Sequence, residues 1–268
     1  MAIASPARRR KRPDPVEKKW HDEYGRALVI TAHPDDAEFL CGGTIAKLCD
    51  LGLEVTLCVA TSGDKGTRDV TIRRQELAAM REQETRNAAR VLGVRHCVFW
   101  GMPDGFLIED DELRGLAVRT IRTLKPDIVI TWDGFRPSFN HTDHRAIGRA
   151  VRDALYPAAH DPHYYGELAR EGIGPHRTAE LLLAGAQEPD FHVDIGRYLE
   201  QKAEAIAAHA SQVENRSKAD ILKNWIGRGA DRARRKATGY DHAESFRRIE
   251  FRRPSGAPGT PPAKRARS

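Results

Sequence analysis

Two short stretches of this 268-residue chain hold side chains that bind metals or move protons. They are His33, Asp35 and Asp36 in "AHPDDAE", and His141, Asp143 and His144 in "NHTDH". Adjacent carboxylates repel, and a cation among them is the simplest relief. One imidazole and one carboxylate from the first stretch, with one imidazole from the second, make a His2Asp set. Three protein ligands with an open fourth position describe catalytic rather than structural zinc. The same donors suit iron(II) or cobalt(II). Coordination lowers the pKa of a bound water to about 7, and a carboxylate beside it can take its proton. That is hydrolytic chemistry. Taken singly, His-Pro-Asp is commonly a turn, and Thr142 or Asp143 would serve as an ordinary helix N-cap. The co-occurrence of the two stretches points to a site.

Such a site needs elements that bring the two stretches together. Apolar, β-branched-rich runs at 27–32, 55–61, 97–100, 127–132 and 181–186 read as strands. Helical spacing fills the intervals at 43–51, 73–92, 112–124 and 144–154, with a further amphipathic segment at 195–209. In the second of these helices Ile72, Leu77, Met80, Ala88 and Val91 are expected to line one face, and Gly93 to stop it. Strands alternating with helices imply an α/β fold with a mostly parallel sheet, helices on both faces and functional loops at the carboxyl ends of the strands. Those loops read TAHPDDAE, TSGDKGTR, GMPDG, DGFRPSFNHTDHR and AQEPDFHVD, all rich in His, Asp, Arg and Gly, as expected if they converge on one polar pocket.

Composition excludes several other readings. No run of about 18 apolar residues exists to cross a membrane, and the basic N-terminus lacks the apolar stretch of a secretory signal, so a cytoplasmic protein is expected. Cys41, Cys49, Cys58 and Cys97 form no CxxC pair and read as free thiols. The net charge of +6 invites a nucleic-acid reading, but residues 1–19 carry +5 and residues 252–268 another +5, leaving the body at about −4. The basicity belongs to two Pro- and Ala-rich tails, expected to be disordered over 1–22 and 252–268 around one domain at 23–251. Nucleic acid is therefore not an expected partner.

"AHPDDAE" with a downstream "HTDH" resembles the signatures of the PIG-L/LmbE-like zinc-dependent N-deacetylases. The resemblance continues through TSGDKGT, MPDG, KPDIVIT, PHRTAELLL and VDIGRYLEQKAEAIAAHASQ, covering about residues 26–215. It implies a Rossmann-like fold and removal of acetyl groups from N-acetylglucosamine-type sugars or their conjugates, with Zn2+ or Fe2+ as cofactor. By position, the resemblance makes His33, Asp36 and His144 the metal ligands and Asp35 the general base. It makes His141 the group that polarises the amide or protonates the leaving amine, with Asp143 holding its ring. Arg73, Asp104 and Glu38 match residues for substrate binding; a surface arginine, a turn aspartate and a loop brace are the local alternatives. His176 and His209 match recurrent family positions, and a structural hydrogen-bonding role is expected for each. Relatives in bacteria are often oligomeric, so a homo-oligomer is compatible with the resemblance. Two other readings stay open: an amidase for a larger amide such as a thiol conjugate or antibiotic side chain, and a non-catalytic Rossmann-like binding module. The latter lacks GxGxxG after the first strand, where HPDDAE stands instead.

Overall fold

A computed structural model describes residues 15–138, 141–226 and 238–251. Seven strands form one sheet in the order β3-β2-β1-β4-β5-β7-β6. Five of them, β1 (Arg26–Thr31), β2 (Glu54–Thr61), β3 (His96–Met102), β4 (Ile128–Trp132) and β5 (Glu180–Ala184), are the expected runs to within two residues at either end. They pair in parallel. Two strands were not anticipated. β6 (Phe191–Asp194) and β7 (Ala243–Glu250) close one edge, with β7 antiparallel to both β5 and β6.

Burial on both faces explains why the central strands read as unbroken apolar runs. In β1, Ala27 and Val29 enter a core shared with α2 (Asp36–Asp50), α3 (Arg74–Leu92) and the helix Leu199–Ala207. Leu28 and Ile30 enter the opposite core, under α4 (Asp111–Leu124) and α5 (Thr142–Asp153). The chain leaves β1 toward β2 on one side and returns by α4 to place β4 on the other. The strand order therefore reverses between β1 and β4, and ligands of open α/β sheets bind at such a switch point, beyond the carboxyl ends of the strands.

Several expectations need correction. The N-terminal tail was expected to run to residue 22, but α1 (Pro15–Glu23) is a helix whose Trp20 is 1% exposed. Trp20 and Tyr24 pack in the core and bond the buried Glu180 carboxylate, which also pairs with Arg248 of β7. Residues 1–14 and 252–268 lie outside the described residues. The first crossover helix begins at Asp36 rather than at residue 43, and it kinks at Cys41. Gly43 and Thr44, just past the kink, donate their backbone amides to Glu244 of β7, which Lys202 neutralises. A glycine pair that looks like a start is thus an interruption, capped from another strand. On α3 the buried face is Leu77, Arg81, Glu84, Thr85, Ala88, Ala89 and Leu92, while Met80 is exposed. Gly93 ends this helix in the left-handed region as expected. The loop AQEPDFHVD contains β6, and its His192 bonds Ser245 at the sheet edge. Among the described residues the four cysteines are unpaired, and no helix is long and apolar enough to cross a membrane.

Candidate active site

The loops after β1 and β4 meet at the switch point. Asp35 occupies the left-handed region at φ 94°, ψ −27°, and Asp36 is the first residue of α2. That abrupt change sends adjacent carboxylates to different partners. Asp36 Oδ2 accepts from the backbone amides of Ala32 (3.1 Å) and His33 (3.0 Å) and from Trp132 Nε1 (3.0 Å). Its Oδ1 faces His144 Nε2 at 3.2 Å. His33 Nδ1 stands 3.2 Å from His144 Nε2 and 3.7 Å from Asp36 Oδ2. Three atoms able to donate electron pairs thus converge from two loops.

This arrangement suits a metal. Ligands about 2.0–2.1 Å from a tetrahedral zinc lie roughly 3.4 Å from one another, close to the spacings present. The far nitrogen of His33 sets the tautomer: Nε2 lies 3.2 Å from Asp104 and 3.1 Å from Asp143, so its proton belongs there and Nδ1 keeps its lone pair for the convergence point. Burial disfavours charge on His33, yet hydrogen bonds with Asp104, Asp143 and Asp36 carry its pKa up to about 11. Those carboxylates favour a positive charge at this ring, which a cation held at Nδ1 supplies as well as a second proton does. His141 joins His33 and His144 in a group of nitrogens within 4.8 Å. Its Nδ1 accepts from the Asp143 amide at 3.1 Å, which leaves Nε2 as the donor toward solvent. Burial and the charge on His33 lower its pKa, favouring the neutral ring.

Asp35 turns the other way, to Arg81 of α3. Arg81 is 4% exposed and its Nη2 reaches Pro34 O at 2.7 Å and Asp35 Oδ2 at 3.3 Å, while Nη1 reaches Gly63 O at 2.9 Å. Gly63, at φ +64°, and Gly66 make room: a Cβ on either would overlap the Arg81 guanidinium. This accounts for the glycines of TSGDKG. Burial and the neighbouring Asp36 raise the pKa of Asp35, and Arg81 pulls it back only in part. Burial also acts on Asp36, but hydrogen bonds with His144 and His33 hold its carboxyl far below the usual range.

The other expected residues have different surroundings from those foreseen. Asp143 does not hold the ring of His141 with its carboxylate, which meets His33 Nε2 and the amides of Gly105 (2.7 Å) and Leu107 (3.2 Å). The resemblance matches Asp104 to sugar binding, but this carboxylate is buried and spent on His33 and the Lys65 amide. Glu38 is fully buried with His209, their Oε2 and Nε2 3.2 Å apart, beneath the loop as a brace rather than at its surface. Arg73 lies on the surface, its side chain 78% exposed and paired with Glu76. Within α3 the buried arginine is Arg81, about two turns further along. His176 bonds Pro126 O at 2.8 Å, a structural role as expected. Phe139 and Asn140, before the second motif, fall outside the described residues.

Residues 28–155 match the family described as PIG-L, GlcNAc-PI de-N-acetylase. Diacetylchitobiose deacetylase of Thermococcus kodakarensis is 33% identical, over 76% of this chain and 74% of that protein. A probable N-acetyl-alpha-D-glucosaminyl L-malate deacetylase 2 of Bacillus cereus is 31% identical, over 70% and 83% respectively. The structure of N,N'-diacetylchitobiose deacetylase from Pyrococcus horikoshii superposes with a TM-score of 0.78 at 29% identity, covering 87% of this chain and 86% of that one.

Proposed function

This chain belongs to the PIG-L family of deacetylases, and we propose that it hydrolyses the acetamide of an N-acetylglucosamine-type sugar or conjugate at a metal centre of His33, Asp36 and His144. The observation that carries the reading is the convergence of His33 Nδ1, the Asp36 carboxylate and His144 Nε2, with Asp35 held beside them on separate partners. Zinc at this centre, or iron(II), would polarise the acetamide carbonyl and lower the pKa of a water there to about 7.

The remaining chemistry falls to the chain itself. Asp35 takes a proton from the attacking water; its raised pKa makes it a better base than an ordinary carboxylate. The Nε2–H of His141 donates to the oxygen on which negative charge develops, a contribution on the order of 3 kcal/mol. As the C–N bond breaks, Asp35 passes the proton it took from water to the leaving amine and returns to its carboxylate form, and acetate leaves. Asp104 and Asp143 act through His33 by fixing its proton on Nε2. The acetyl-bearing substrate is a small molecule.

Acetate release from N-acetylglucosamine conjugates, with metal content measured in parallel, tests the assignment. Asp36→Ala loses both metal and turnover. Asp35→Ala retains metal and loses turnover by about 10²–10⁴-fold. Full hydrolysis by Asp35→Ala would overturn the assigned mechanism.

A further inference from the structure

Trp132, the last residue of β4, has no counterpart in the chemistry above, yet it touches two of the three residues at the convergence point. Its Nε1 donates to Asp36 Oδ2 at 3.0 Å. Its ring stacks on His144, with centroids 3.8 Å apart and planes inclined by 13°. Asp36 comes from the loop after β1 and His144 from the start of α5, so one indole spans the two loops that form the site. The ring is also seated from β5: a Cβ on Gly185, at φ +70°, would lie 3.0 Å from Cζ3 and 3.2 Å from Cε3.

We propose that Trp132 is a positioning residue that sets the affinity of this centre for a divalent metal. The proposal rests on the reading of His33, Asp36 and His144 as ligands. With three N–H donors on Oδ2, the Asp36 carboxylate is locked so that Oδ1 faces His144. The stacked indole fixes the plane of the His144 ring and thereby the direction of Nε2. Tryptophan suits the position chemically: it has an aromatic face and one donor, and no lone pair to compete for the metal. Removing an outer-shell partner of this kind commonly costs about 10–100-fold in metal affinity.

The test is competition for Zn2+ between the metal-free protein and a chromophoric chelator, needing no substrate. Trp132→Phe keeps the stack and loses the donor, and binds Zn2+ about 10–100-fold more weakly than the wild type. Equal affinity overturns the proposal. Asp36→Ala separates it from the reading beneath it. If Asp36→Ala keeps wild-type affinity, the metal centre is misassigned and the proposal falls with it. If Asp36→Ala loses zinc while Trp132→Phe does not, only the role of Trp132 falls. The wild-type protein carries a second check should the variant fail to fold. Zinc uptake perturbs the near-ultraviolet signal of an indole touching two ligands, and a titration without that signal overturns the proposal.

Discussion

Replacing Arg81 with methionine removes the clamp on Asp35 while leaving His33, Asp36 and His144 their own partners. The guanidinium makes three short contacts, to Pro34 O, Gly63 O and Asp35 Oδ2, in a setting 4% exposed. Hydrogen bonds to charged groups contribute about 1.5–3 kcal/mol each, and loss of one partner from a buried ion pair costs about 3–5 kcal/mol in all. The clamp also opposes strain, because a non-glycine residue in the left-handed region costs about 1–2 kcal/mol. Asp35 is such a residue, at φ 94°. Without Arg81 the Asp35 carboxylate loses its nearest positive charge, and the turn is free to relax. A shift of about 1 Å in a reacting group costs on the order of 100-fold in rate.

Arg81→Met should therefore lower kcat at least about 100-fold with little change in KM. Zinc stoichiometry stays at the wild-type value, and denaturation shows a loss of about 3–5 kcal/mol. Arg81→Lys restores part of the rate, since one ammonium can meet only some of the three acceptors. The assays are acetate release, metal analysis and chemical denaturation on the same preparations. Turnover unchanged in Arg81→Met would refute the clamp. So would loss of turnover accompanied by loss of zinc from a folded protein, because the effect would then run through the metal centre.

Gly63→Ala should reproduce much of this phenotype without touching Arg81, since its Cβ would overlap the guanidinium and its φ is +64°; low kcat with retained zinc is the expected outcome. His141→Ala should lower kcat by about 100-fold and leave zinc binding intact, read by the same assays. Glu180 gives a prediction about stability. It is fully buried, bonded to Arg248 at 2.7 Å and 3.0 Å and to Tyr24 at 2.8 Å. Burial raises its pKa, but Arg248, Tyr24 and Lys19 more than reverse this, and the carboxyl is held below its ordinary value. A carboxylate depressed by folding contributes stability that is complete above its unfolded pKa of 4.5 and fades as pH falls through the lower folded value. Glu180→Gln should cost about 3–5 kcal/mol at neutral pH, and its denaturation midpoint should fall less steeply than that of the wild type below pH 4.5.

The sequence conveys the parallel core of this fold well because strands buried on both faces leave a strong apolar signal. It conveys the edge poorly. β7, AESFRRIE, is rich in charge because Glu244 caps a helix kink and Arg248 neutralises Glu180, so its burial depends on partners about 40–200 positions away in the chain. The same limit hides Arg81. Periodicity assigns charged residues to the solvent side of α3, but Arg81 and Glu84 face inward, Arg81 onto the HPDD turn and Glu84 onto the Ser211 amide and hydroxyl. An arginine four positions, about one helical turn, past Leu77, with two glycines in the preceding loop, is the available signal. Trp132 was equally hidden, since an aromatic residue ending a strand reads as core.

Neighbouring aspartates in a turn ordinarily titrate alike, as two exposed carboxylates with a mild mutual repulsion. Here one backbone torsion separates them. Asp36, entering the helix, gathers two amides, an indole N–H and two imidazoles, and its acidity rises accordingly. Asp35, one residue earlier in a left-handed conformation, is half-buried against the Asp36 charge with a single guanidinium in contact, and its acidity falls. A pair of titratable groups pushed apart by their environments is a general mark of divided labour in a catalytic site. The strain at Asp35 is what makes that division sterically available. A relaxed helical φ there would turn the carboxylate away from Arg81 and leave the two aspartates to compete for the same partners.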